Sequence, residues 1–355
     1  MWQTGRVKIS ELRSPATASG ATSVQNSFVL PEQKIVFVSI GKNACSTIKW
    51  MLADISGQDI SRFHSAVSAE PSRRMTIHHR NLWQNTPRLE ALNAKQLADI
   101  SPANGWFVFA VVRDPRLKLF SAWQSKFLVG DPIYSGRKYA DQTWLPRTPE
   151  SADDVLEDWR RFVELLATTG HGHRMPRGDG HFAPQTVRLH EDVVPFNHIY
   201  EISELRDLPN DLSTHLGTLG IKKDLELYRE NDTPLAVGRE VYENGVREQI
   251  EQIYAADLER FGYLWSSFDS KIDRPIAWSQ DGLRDIASRR ATYERLADLH
   301  KQAKSATAAR QAAMRQVREL TAEKEALEAK VAKLSGTGKA QPGIRPALRR
   351  LTRRG

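Results

Sequence analysis

Within Ser39 to Lys49 (SIGKNACSTIK) the chain brings a lysine and two hydroxyls to the start of a helix. The Lys42 ammonium, the Ser46 and Thr47 hydroxyls and the backbone N–H groups around Asn43, Ala44 and Cys45 converge on one point, which suits a phosphate or sulfate. A second segment, VVRDPRLKLFSAWQSKF, sets Arg113 at a strand end and Ser121 eight residues later, about two helical turns on. Alone, an Arg-Asp-Pro after a strand reads equally as a helix cap with a salt bridge.

The first segment is not a Walker A loop. There the lysine directly precedes the hydroxyl, whereas Lys42 precedes Ser46 by four residues and no second glycine follows. No apolar strand ends in a clear Walker B aspartate, so a magnesium-nucleotide kinase is disfavoured. Cys45, at a helix start, has the setting of an activated thiol. A cysteine phosphatase would need an arginine where Met51 stands, and Cys45 reads as packing behind the loop. The His and Cys spacing offers no zinc site.

A proton acceptor for transfer chemistry would be a histidine. His79 and His78 follow the first phosphate helix and rank first, with His181 next; His171 and His173 lie in a Gly- and Arg-rich stretch. For each, an ordinary hydrogen-bonding role is the simpler reading. Arg73, Arg74 and Arg80 mark either an anionic acceptor or solvated loop charge.

These residues need elements to position them. Lys34 to Ile40 (KIVFVSI) and Trp106 to Val112 (WFVFAVV) read as buried strands, and helical spacing follows each, over Cys45 to Ile55 and Pro115 to Leu128. Strand, phosphate-suited turn and helix, twice over, predict an α/β fold: a P-loop-like parallel sheet flanked by helices, with ligands at the carboxyl ends of its strands. An amphipathic helix is expected near Asp153 to Ala167, amid long loops from Val129 to Arg188. One closing helix is expected over REQIEQIYAADLERFGY, and apolar steps from Leu296 to Leu334 predict a long helix of coiled-coil type, interrupted at Arg310 and Lys324.

In this order the segments resemble the sulfotransferases, nearest to the carbohydrate-modifying, Golgi-type branch. Lys42, Ala44, Cys45, Ser46 and Thr47 meet that family's 5′-phosphosulfate loop. Arg113, Asp114, Pro115, Leu119, Ser121 and Ala122 meet its 3′-phosphate motif, with Lys118 and Trp123 replacing the usual Arg and Tyr. DGHFAPQ (Asp179 to Gln185), IYEISEL and YAADLERFGY extend the likeness over Lys34 to Tyr263. The resemblance implies sulfuryl transfer from 3′-phosphoadenosine 5′-phosphosulfate to a carbohydrate hydroxyl, without a metal. Lys42 would stabilise the leaving 5′-phosphate with Ser46 and Thr47, and Arg113 and Ser121 would hold the 3′-phosphate. The alternatives are a P-loop kinase-like phosphotransferase or a non-catalytic coiled-coil scaffold.

Composition bounds the rest. The chain has 355 residues, nine Trp and one cysteine, so no intrachain disulfide forms and a reducing compartment is expected. Of the net charge of +8, the segment from Gly336 to Gly355 supplies +6, so the body is not a nucleic-acid-coating surface. The expected organisation is a flexible lead-in over 1–30, a sulfotransferase domain over 31–270, a helical coiled-coil extension over 283–335 and a basic tail over 336–355. With no apolar span, a bacterial cytoplasmic enzyme is expected. It would pair through the coiled coil and touch an anionic inner-membrane face through its tail, with no specific nucleic-acid partner.

Overall fold

The computed structural model describes residues 26–66, 68, 70, 72–132, 134, 139, 142–169, 179–227 and 233–336. Among these, four strands make one sheet in the order β1 (Ser27–Leu30), β2 (Ile35–Val38), β3 (Phe107–Val112) and β4 (His198–Glu201). Strands β2, β3 and β4 are parallel, with Phe37 opposite Phe109 and Val111 opposite Tyr200. The edge strand β1 runs antiparallel to β2, so the sheet is mixed where a parallel one was expected. Residues 27–30, assigned from sequence to a flexible lead-in, are a buried strand.

The strands are nearly continuous runs of β-branched and aromatic residues because both faces are covered. On one face Val36, Val38, Val108 and Ala110 pack with Trp106, Phe261 and Trp265. On the other, Phe37 stacks on Phe109 at 5.0 Å, and Ile48 and Leu52 of helix α1 (Cys45–Ile55) close over them. A third cluster joins helix α2 (Pro115–Trp123) to helix α3 (Ala152–Thr168) through Phe120, Trp123, Phe127, Trp159 and Phe162. Helix α3 starts at a reciprocal cap, Ser151 with Asp154, which fixes where this amphipathic segment begins.

Two expected helices differ in detail. The segment expected to be helical to Leu128 changes hydrogen-bonding pattern at Gln124 and ends in a π-helical turn, Gln124–Leu128. The closing helix is two, Val246–Ile253 and Ala255–Phe261, broken where Tyr254 leaves the helical region and packs inward.

The C-terminal helix runs unbroken from Gln280 to Gly336. Two compact units divide within it, Met1–Asp298 and Leu299–Gly355. In the first unit Leu283 and Ile286 are buried, and Arg290 donates to the Leu128 carbonyl at 3.0 Å. In the second, every described residue from Lys304 onward is exposed, including Val317, Leu320, Leu327, Val331 and Leu334. The basic tail lies beyond the described residues, apart from Gly336. No described helix is long and apolar enough to cross a membrane. A chain ended after Asp298 should therefore unfold in denaturant with a stability within about 1 kcal/mol of the full chain, since none of the described residues beyond it is buried.

Candidate functional site

The carboxyl ends of the three parallel strands lie on one edge of the sheet, and both phosphate-suited segments leave from it. After β2 the chain turns through Gly41 into α1. Lys42 and Ala44 adopt left-handed backbone angles, φ of 70° and 54°, which non-glycine residues accept only where the surroundings hold them. No side chain caps the start of α1, the end of a helix at which backbone N–H groups lack intrahelical acceptors. Ser46 and Thr47 are both buried there.

What holds this turn is a buried carboxamide. Asn43 Nδ2 donates to the Val111 carbonyl at 2.8 Å and to Gln185 Oε1 at 2.7 Å. Gln185 Oε1 also accepts from the Arg113 amide at 3.0 Å, and its Nε2 donates to the Arg113 carbonyl at 2.8 Å. The Gln185 amide in turn donates to Asp257 Oδ2 at 2.9 Å. Loop, strand end and the helix Ala255–Phe261 are thus fixed to one another through a residue with no solvent exposure.

Arg113 and Ser121 come together on one cavity of about 280 Å³, with Leu117, Phe120, Leu235 and Lys271 also on its wall. Arg113 Nη1 lies 3.4 Å from the Lys42 carbonyl, so the two segments adjoin. Asp114 has a different task. It caps α2 through the Arg116 amide at 3.0 Å and grips the Arg116 guanidinium at 2.9 and 2.8 Å. Lys118 is fully buried and donates to the carbonyls of His181 and Ala183 at 2.9 and 3.2 Å, so it holds that segment rather than lining the cavity.

The histidines separate. His181 Nδ1 lies 2.8 Å from both Asp179 Oδ1 and the Tyr134 hydroxyl, which leaves Nε2 without a hydrogen bond among the described residues. Its ring packs on the phosphate turn so closely that a Cβ at Gly41 would stand 2.9 Å from His181 Cδ2. His78 Nε2 is 2.7 Å from Ser46 Oγ and its Nδ1 is 3.0 Å from Lys49 Nζ, so both ring nitrogens are engaged. His79 turns to Ser68 Oγ at 3.2 Å and Glu70 at 3.8 Å, away from the turn. His171 and His173 lie outside the described residues. Cys45 is half-buried and unpaired to any other cysteine, as the single thiol requires.

Electrostatics follow from burial among cations. Desolvation lowers the Lys42 pKa to about 8, with Lys126 and Arg113 adding to the effect. Desolvation also lowers His181 to about 4, against the opposing pull of Asp179. His78 is pushed well below the usual imidazole range by burial and then by Lys49. At neutral pH both rings are therefore neutral, the form that can accept a proton. Among the described residues no cluster of three His, Cys, Asp or Glu side chains is placed to bind a metal ion.

Residues 25–264 match the model of the sulfotransferase family. The chain belongs to the sulfotransferase family. No curated protein matches it, and neither does any solved structure. The sulfotransferase match ends before Lys271, so one wall of the Arg113 cavity comes from outside it.

Several site residues were not singled out in the sequence. Lys126, on the π-helical turn, is paired with Asp131 at 2.8 Å and sits 4.7 Å from the Tyr134 ring centre. Its position five residues after Ser121 carries no motif. The Asp179–His181 contact is foreshadowed by spacing alone, because residues two apart in a turn can bond side chain to side chain. Gln185→Ala would leave the Arg113 amide and the Asn43 carboxamide buried with bonds unmade. It should lower stability by about 3 kcal/mol in equilibrium unfolding, with loss of ligand binding.

Proposed function

We propose that this sulfotransferase moves a sulfuryl group from 3′-phosphoadenosine 5′-phosphosulfate to a carbohydrate hydroxyl. The observation that carries the donor reading is the adjacency of two anion-suited places on one sheet edge. One is the turn at Lys42, Ser46 and Thr47; the other is the cavity shared by Arg113 and Ser121. Two such adjoining places suit a donor with phosphate at both its 5′ and 3′ positions, and a P-loop-like turn is the local form this takes. The carbohydrate acceptor rests on the sequence resemblance.

Sulfuryl transfer asks a protein chiefly for alignment and charge. Lys42 and the first-turn amides of α1 would neutralise charge growing on the leaving 5′-phosphate. Arg113 would fix the 3′-phosphate with Ser121 as a hydroxyl donor, and Asn43, Ala44 and Cys45 would supply the turn's backbone. Among the histidines, His181 suits the base best, since Asp179 and Tyr134 orient Nδ1 and Nε2 has no competing bond. Placed over the phosphate turn, it would take the acceptor's hydroxyl proton as the oxygen attacks sulfur and the bridging S–O bond breaks. His78 and His79 are less suited, for the contacts given above.

The catalytic unit is the proposed sulfotransferase domain, 31–270. The exposed apolar seam from Val317 to Leu334 would pair two copies through a coiled coil. The basic tail would touch an anionic surface on the cytoplasmic side.

Calorimetric titration with 3′-phosphoadenosine 5′-phosphate tests the donor reading. Binding should occur without magnesium and weaken as pH rises through about 8, where Lys42 loses its proton. The sign follows from the depressed pKa: below it the ammonium is present to meet the phosphate, above it the attraction is gone. Magnesium-dependent ATP binding in its place would favour a kinase, and binding of neither would favour a scaffold.

A further inference from the structure

Lys49 lies in α1, seven residues after Lys42, and is 4% exposed, yet among the described residues no carboxylate pairs with it. Its one hydrogen bond among the described residues is to His78 Nδ1, at 3.0 Å. Its Nζ also lies over the Phe28 ring, 5.0 Å from the ring centre. Burying an ammonium without an anion costs several kcal/mol. A leucine or methionine would serve the core better at this position.

The direction of the hydrogen bonds gives the charge a use. An ammonium has only donors, so it donates to His78 Nδ1 and leaves the imidazole proton on Nε2. That N–H, 2.7 Å from Ser46 Oγ, is then the donor to the hydroxyl. Ser46 acts as acceptor at this contact, and its own proton is directed elsewhere. No proton moves along the chain of contacts; each partner is held in one orientation.

We propose that Lys49 is a positioning residue of the sulfuryl-transfer site, acting through His78 to orient Ser46 toward the donor's 5′-phosphate and to reserve His78 from proton transfer. This rests on the donor reading of the Lys42 turn. The arrangement gives the buried cation beside His78 a use, and of the two rings only that of His181 keeps a nitrogen without a hydrogen bond among the described residues.

A double-mutant cycle on the full chain tests it, with 3′-phosphoadenosine 5′-phosphate as the probe and both calorimetric affinity and melting temperature as readouts. Lys49→Met should raise the melting temperature, because an unpaired buried charge is replaced by an apolar side chain of similar length. It should also weaken binding about tenfold, the worth of one charge-assisted orientation. In a Ser46→Ala background the same substitution should cost less than about twofold, because the oriented group is gone. His78→Leu should show the same loss and the same coupling to Ser46. A lower melting temperature, failure to fold, additive losses or unchanged affinity for Lys49→Met would each overturn the proposal. If the parent chain itself does not bind the probe, the donor reading fails and takes the proposal with it, a result distinct from binding that ignores Lys49.

Discussion

The carboxamide of Gln185 bonds at once to the phosphate turn, to the end of β3 and, through its amide, to Asp257 on the helix Ala255–Phe261. Three segments far apart in sequence therefore keep one relative placement, and the left-handed backbone at Lys42 and Ala44 is tolerated because that placement is fixed. Such a network is strong only when complete. Gln185 uses its carbonyl oxygen twice and its amino group twice, for the Arg113 carbonyl and Asp257 Oδ2, which is its full capacity. The Pro-Gln motif at 184–185 is thus a structural tie beneath the site, whereas His181, four residues earlier, faces the turn.

Onto this frame the fold concentrates positive charge. Lys42, Lys126 and Arg113 stand near one another, with Lys118 and Lys49 buried behind, and desolvation lowers the pKa of Lys42 and Lys118 to about 8. Gathering cations away from water costs stability before any ligand arrives. The return comes when an anion meets groups that are already oriented, and that preorganisation is the largest lever available to an enzyme of group transfer. The same surroundings lower the pKa of His78 and His181, so in the proposed reaction one electrostatic environment would serve both the anion and the proton acceptor.

Much of the frame was legible in sequence for a physical reason. The runs ending at Gly41 and Arg113 are apolar, β-branched and abruptly stopped, and each is followed by helical spacing; β2, β3, α1 and α2 appear there. Strand β1 was hidden because Ser27–Leu30 is short, follows a polar stretch and takes its meaning from a partner eight residues on. The break at Tyr254 was hidden because tertiary burial of one ring overrides a helical pattern. In the site, residue types were readable and directions were not. His78 and His79 are neighbours at the end of a 3₁₀ turn, and their rings face Ser46 and Glu70 respectively, a separation no spacing encodes. Lys49 has the look of an ordinary helix lysine until its burial is seen.

The proposed pairing of a 5′-side turn with a 3′-side cavity is probed best by two ligands that differ by one phosphate. Affinities of 3′-phosphoadenosine 5′-phosphate and adenosine 5′-monophosphate would be measured on the parent chain and on Arg113→Ala. The parent should prefer the bisphosphate by about a hundredfold, as for two charge-assisted contacts, and Arg113→Ala should remove most of that preference. Equal affinity of the parent for the two ligands would contradict it.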